Sequence, residues 1–214
     1  MAAQRMRDGR PVIWSPQPAQ ARFMQRTENE VLYGGAAGGG KSDALVIEAL
    51  RQVEIPHYRG LIIRKTFPQL RELIDKTMRY YKPVFPKARY NSSTHCWTFP
   101  SGAKIYFGSM NHAQDRYNYQ GQAYDFIGFD ELTHFTWEEY SYLLSRNRPN
   151  GPDTRVYTRA TAQPRRHRSR MGEGKVRQPG PARHPDGADG KGQGSGRTGD
   201  RAAADPHLYP QHRV

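Results

Sequence analysis

An α/β fold on a mainly parallel sheet is predicted by three features of this 214-residue chain. Short apolar runs alternate with helical patterns as far as about residue 163. A glycine-rich loop joins one such run to a helix. Another run ends on an adjacent pair of carboxylates. Strands that alternate with helices are covered on both faces, which favours parallel pairing.

The elements follow in order. Val31-Leu32-Tyr33, Leu61-Ile62-Ile63, Ile105-Tyr106-Phe107 and Phe126-Ile127-Gly128-Phe129 are short, apolar and rich in β-branched and aromatic residues, so each is expected to be a buried strand. Ala44 to Val53 reads as a helix after the glycine-rich loop. Phe67 to Tyr81 reads as a second helix, with Leu70, Leu73, Ile74 and Met78 on one stripe. Thr136 to Ser145 opens with a Thr N-cap and has Glu139 three residues on, a capping box. Trp97 to Phe99 and Ala103 to Phe107 flank Pro100-Ser101-Gly102, a β-hairpin turn.

Composition divides the chain at about residue 163. Hydrophobic residues make up 36% of the whole, and the net charge is +13. Residues 165–214 hold nine glycines, eleven Lys or Arg, five acidic residues and only five large apolar ones. Such a segment cannot bury enough apolar surface to offset its ordering entropy, so 164–214 is expected to be a disordered basic tail behind a domain over 1–163. A basic balance favours polyanions, nucleic acid first; a solvated surface without a dedicated partner is the alternative. The lone Cys96 excludes an internal disulfide or a four-cysteine metal site and favours a reducing compartment. No apolar run approaches the roughly 20 residues that span a bilayer, so no membrane partner is expected. Met1 to Arg10 is polar and basic, without a secretory signal's apolar segment.

Gly35-Ala36-Ala37-Gly38-Gly39-Gly40-Lys41-Ser42 fits G-x-x-x-x-G-K-[ST] between a strand and a helix. Gly35, Gly38, Gly39 and Gly40 let successive backbone N–H groups converge on phosphate oxygens, and the helix N-terminus adds its partial positive charge. Lys41 would reach the β- and γ-phosphates of ATP, and Ser42 would ligate Mg²⁺. Phe126 to Phe129 delivers Asp130 and Glu131 to the carboxyl end of a strand, where open α/β sheets bind ligands. Asp130 would hold the Mg²⁺ shell, and Glu131 would orient and deprotonate a water. Together these imply a P-loop NTPase of the RecA-like, ASCE type that hydrolyses its nucleotide.

Tyr33-Gly34-Gly35-Ala36-Ala37-Gly38-Gly39-Gly40-Lys41-Ser42 resembles the P-loop of phage large terminase subunits. Trp14 to Phe23 resembles the family's adenine-contacting segment, with Gln20 in the glutamine position. Tyr119-Gln120-Gly121 before Phe126 to Thr133 resembles its approach to the metal-binding Asp and catalytic Glu. Arg159-Ala160-Thr161-Ala162 resembles the start of its coupling motif, where Thr161 would sense the γ-phosphate. The resemblance covers roughly residues 11–163. It implies an ATPase motor that drives double-stranded DNA into a procapsid, working as a homo-oligomeric ring with a portal protein and a small terminase subunit in the cytoplasm of a bacterial host.

Two departures stand out. Many members carry an arginine in the P-loop near Ala37, so a charge-stabilising arginine must come from elsewhere: Arg64 and Arg116 are the catalytic candidates beside Lys41 and Glu131, with Arg146 and Arg148 behind them. The family's C-terminal nuclease has no counterpart in the scattered Glu173, Asp186, Asp189, Asp200 and Asp205, so nuclease activity is not expected. The coupling motif also breaks off. The family pattern T-A-N-P-G, then G-H-G-W-V, meets Gln163-Pro164-Arg165-Arg166-His167-Arg168-Ser169-Arg170-Met171-Gly172-Glu173-Gly174. Permitted codons for that stretch, read one nucleotide later, encode N-P-G-V-I-G-H-G-W-V. The expectation is a frame change near Ala162; a genuine basic tail that binds DNA non-specifically is the alternative. Competing functions are a helicase-like P-loop ATPase and an inactive nucleotide-binding remnant. His95 and Cys96 are read as packing residues, not metal ligands.

Overall fold

The computed structural model describes residues 6–7 and 10–163. The expected tail over 164–214 and the frame change lie outside the described residues, as do the five scattered acidic side chains.

The elements are β1 (Met6–Arg7), β2 (Arg10–Pro11), α1 (Pro18–Met24), β3 (Glu30–Gly34), α2 (Lys41–Glu48), β4 (Arg59–Arg64), α3 (Phe67–Val84), β5 (Arg89–Asn91), β6 (Cys96–Thr98), β7 (Lys104–Ser109), β8 (Phe126–Phe129), α4 (Trp137–Leu144) and β9 (Tyr157–Ala162). β1 and β2 pair with each other. The rest form one seven-stranded sheet in the order β3-β9-β8-β4-β7-β6-β5. The first five strands of that order run parallel, and β6 and β5 add antiparallel at one edge.

Successive side chains of a strand point to opposite faces, and β4 shows the consequence. Ile62 joins a core with Leu45 and Val46 of α2 and Leu70, Leu73 and Ile74 of α3. Its neighbours Leu61 and Ile63 join a second core with Ile127, Phe129, Ala160 and Leu143 of α4. Helices therefore cover both faces, as the alternating pattern predicts.

The strands are buried as expected, with one correction. Val31-Leu32-Tyr33 is not a buried strand: β3 is the sheet's edge, and Leu32 is 56% exposed. An apolar triplet does not distinguish an edge from a central strand, because one face and one side of the edge strand remain open. The first helix after the loop begins earlier than Ala44, at Lys41, and tightens into a 3₁₀ turn over Ala49–Gln52. α3 runs past Tyr81 to Val84 although Pro83 lacks an N–H; the Phe85 N–H reaches the Tyr81 carbonyl at 2.7 Å and closes the last turn. Thr136 and Glu139 form the predicted capping box. Among the described residues no helix is long and apolar enough to cross a membrane.

Candidate nucleotide site at the carboxyl edge of the sheet

Parallel register assembles the site. Ile63 of β4 pairs with Phe129 of β8, and Phe129 pairs with Ala160 of β9. One residue further along each strand, Arg64, Asp130 and Thr161 therefore stand in a row. Thr161 in turn pairs with Tyr33 of β3, from which the glycine-rich loop departs.

That loop carries Lys41 and Ser42 into the first turn of α2. The Lys41 ammonium donates to the carbonyls of Gly35 at 3.0 Å and Ala36 at 2.7 Å, so it lies over its own loop with a third proton to give. Gly40 adopts φ +64, and a Cβ there would fall 2.3 Å from Gln20 Nε2, so a glycine is required twice over. Gln20 is buried. Its Nε2 donates to the Gly40 carbonyl at 2.7 Å and its Oε1 accepts the Gln17 N–H at 2.7 Å. Both ends of the amide thus brace the loop against α1. Phe23 of α1 stacks on Tyr33 with ring centres 5.0 Å apart. Beside them runs an open groove of about 680 Å³ lined by Arg22, Phe23, Arg26, Leu32 and Tyr33 among others.

The acidic pair is held from several sides. Asp130 is fully buried. Its Oδ1 accepts the hydroxyls of Ser42 at 3.0 Å and Thr161 at 2.7 Å. Its Oδ2 lies 3.2 Å from Arg64 Nε, yet neither atom finds a hydrogen-bond partner: the charges are close, but the N–H is not aimed at the oxygen. Glu131 sits in the left-handed region at φ 58, an uncommon conformation for a residue with a Cβ. Its N–H donates to Thr161 Oγ1 at 3.0 Å. Its carboxylate oxygens face Arg64 Nη2 and His134 Nε2, each at 3.5 Å. Arg64 is also anchored by the Gln69 carbonyl at 2.9 Å and by Glu72 at 3.4 Å.

The sequence candidates thus divide. Lys41, Ser42, Gln20, Arg64, Asp130, Glu131 and Thr161 converge with the loop glycines. Arg116 stands apart: its guanidinium lies 5.1 Å from the Tyr117 ring centre and bonds the Tyr117 hydroxyl. Arg146 lies over Tyr142 at 4.9 Å, and Arg148 reaches the Gln122 carbonyl at 3.4 Å. Tyr119 of the Tyr-Gln-Gly stretch covers Gly108, where a Cβ would meet its hydroxyl at 2.2 Å, and bonds the Ser109 carbonyl at 2.9 Å. It braces β7 and does not touch the acidic pair.

Sequence reasoning missed His134, Glu48 and the buried role of Arg159. Glu48 carried a signal: it falls on the inward stripe of α2 with Ala44 and Leu45, and a carboxylate on an apolar stripe needs a buried partner. Cys96 is buried, His95 Nδ1 lies 3.2 Å from the Tyr90 hydroxyl, and no cluster of three or more His, Cys, Asp or Glu occurs among the described residues.

Known proteins share this fold. The family described as terminase large subunit, T4likevirus-type, N-terminal, matches residues 32–188, well over half of the chain. No curated protein matches. Among solved structures, the large terminase of a thermophilic bacteriophage has a TM-score of 0.57 at 14% identity, over 68% of this chain and 38% of that one. The large terminase of bacteriophage HK97 gives 0.54 at 10% identity, over 72% and 34%. The ATPase domain of the Thermus phage P74-26 large terminase gives 0.50 at 18% identity, over 70% and 65%. The chain spans about a third to two thirds of these structures, and at such identities they establish the fold alone. Because the family match runs through the P-loop, the acidic pair and Thr161, the chain belongs to the T4likevirus-type terminase large subunit family, by its N-terminal domain.

Proposed function

We propose that this chain is the ATP-hydrolysing motor domain of a phage large terminase, which moves double-stranded DNA into a procapsid. The observation that carries the reading is the meeting of the Ser42 and Thr161 hydroxyls on one oxygen of Asp130, which joins the phosphate loop to the coupling strand. A large terminase of similar fold from a thermophilic bacteriophage has been solved with ATP-gamma-S and with ADP, which supports ATP as the ligand.

In this reading the loop N–H groups and Lys41 bind the phosphates, and Gln20 holds the loop for them. Asp130 and Ser42 fit a magnesium ion: Asp130 Oδ2 is buried without a hydrogen-bond partner, and hard oxygen ligands with retained waters suit that metal. Bound there, the ion would neutralise phosphate charge. Glu131 orients a water and takes its proton, kept in place by Thr161, Arg64 and His134. Arg64, already between both carboxylates, is the best-placed internal arginine for the γ-phosphate; Arg116 is left for contact with another subunit of a ring. Portal and small-subunit contacts and a bacterial cytoplasm follow from the family and belong to the same proposal.

The test is steady-state ATPase of the purified chain with and without double-stranded DNA, beside Lys41→Ala and Glu131→Gln. Turnover lost in both, with ATP binding lost only in Lys41→Ala, supports the reading. Binding without turnover in the unmodified chain makes it a nucleotide-binding remnant instead. A metal-dependent nuclease assay run in parallel is expected to be blank.

A further inference from the structure

Residues 24–28 lead from the last residue of α1 towards β3, and four of their carbonyls are gripped by three arginines. Arg51, just beyond α2, bonds the Met24 carbonyl. Arg159 of β9 donates to the carbonyls of Arg26 at 2.9 Å and Glu28 at 3.0 Å. Arg155 bonds the carbonyl of Thr27 and, at 3.3 Å, that of Glu28. Arg155 and Arg159 lie over the Tyr157 ring, at 4.9 and 4.6 Å from its centre. Arg159 is fully buried, and its Nε stands 3.7 Å from Glu48 Oε1, which also takes Arg51 Nε at 2.7 Å.

This is an expensive way to join three elements. Burial lowers the proton affinity of Arg159 and raises that of Glu48, and Arg159 Nε and Glu48 Oε2 have no hydrogen-bond partner. Apolar residues of similar volume often serve stability as well or better than a buried ion pair. What they cannot do is fix a backbone connector by its carbonyls in one geometry. That connector has functional neighbours on each side. Upstream, α1 carries Gln20, whose amide holds the Gly40 carbonyl. Downstream, β3 leads into the loop. Arg159 itself is two residues from Thr161, on the same side of β9.

We propose that Arg159, with Arg155 and Arg51, is a positioning residue for nucleotide binding: the clamp on the 24–28 connector keeps Gln20 against the P-loop. The proposal rests on the nucleotide reading above and extends it to residues that touch neither phosphate nor metal.

The experiment is a double-mutant cycle on the full chain, with Mg·ATP as the probe and melting temperature measured alongside. The variants are Gln20→Ala, Arg155→Ala, Arg159→Lys and the doubles with Gln20→Ala. Arg155 is exposed, so its truncation remains informative should Arg159→Lys fold poorly. Each single variant is expected to weaken ATP binding about threefold or more, and each double no further than its worse single, because a clamp acting through Gln20 has nothing left to hold. Losses that multiply in the doubles, or unchanged affinity with a lowered melting temperature, overturn the clamp and leave the nucleotide reading intact. No ATP binding by the unmodified chain removes both.

Discussion

The Thr161 hydroxyl donates to Asp130 Oδ1 at 2.7 Å and accepts the Glu131 N–H at 3.0 Å, so one side chain of β9 fixes both members of the acidic pair. The two roles need a hydroxyl, which both donates and accepts. Thr161→Val keeps the shape and removes both. It leaves the Glu131 N–H without its acceptor beside a buried carboxylate, so it is expected to cost about 1.5–3 kcal/mol in urea unfolding. Turnover should fall much further than ATP affinity, and Thr161→Ser should restore both measurements. A valine variant as stable and active as the parent would remove Thr161 from the site.

Glu48 makes a pH prediction with an unusual sign. Burial holds its folded proton affinity above the ordinary value of 4.5, despite the attraction of Arg51 and Arg159. A carboxyl raised on folding binds more protons in the native state, so its ionisation costs stability as pH rises. Relative to Glu48→Gln, which cannot ionise, the parent should lose stability as pH climbs from about 4.5 through the raised folded value, and run level above it. Denaturant midpoints of both proteins across pH 4 to 7 give the difference directly. A difference that grows in the parent's favour with pH would mean that the arginines outweigh burial.

The site was legible where chemistry is carried by adjacent residues. The loop, its strand and its helix lie within one stretch, as do Phe126 to Glu131, and the structure brings both to one edge of the sheet, although β3 proves to be an edge strand and α2 begins at Lys41. Arg64 was legible as a candidate because it follows a strand whose end faces the same edge. What sequence could not give was register. That Arg64, Asp130 and Thr161 share one row depends on which strands are neighbours, a long-range choice with no local trace. The same limit explains β3: Leu32 is as apolar as Ile62, but an edge is defined by a missing neighbour. The buried state of Arg159 is hidden for a third reason. Its partners are carbonyls of residues 26, 28 and 158, and backbone acceptors look alike in every sequence.

Gly40 and Gly39 should respond differently to alanine. Gly40 has φ +64 and its Cβ would strike Gln20 Nε2, whereas a Cβ on Gly39 meets only the Ala36 carbonyl at an ordinary 3.5 Å. The left-handed backbone alone costs roughly 1–2 kcal/mol for a residue with a Cβ. Gly40→Ala should therefore melt several degrees below the parent, and Gly39→Ala close to it. Equal melting temperatures for the two variants would show that Gly40 is neither left-handed nor packed under the Gln20 amide in solution.

Arg64 links stability to metal. It is the cation facing both Asp130 Oδ2 and Glu131 Oε1, at 3.2 and 3.5 Å, and its side chain is only 11% exposed. Arg64→Ala leaves a fully buried carboxylate next to a second one with no positive charge between them. Breaking a buried pair by removing one partner costs about 3–5 kcal/mol. The lower end is expected, since Asp130 Oδ1 keeps the Ser42 and Thr161 hydroxyls. A divalent cation at Asp130 would supply the missing charge. Magnesium without nucleotide should therefore raise the melting temperature of Arg64→Ala more than that of the parent, whose carboxylates are already neutralised. Sodium chloride at matched ionic strength should not, because general screening reaches a buried pair weakly. Arg64→Lys should fall between, retaining the charge but not the fork that spans two carboxylates. Equal magnesium shifts in parent and alanine variant would mean that the cation does not settle where Arg64 acts, and Asp130 would lose its place as the metal-holding carboxylate.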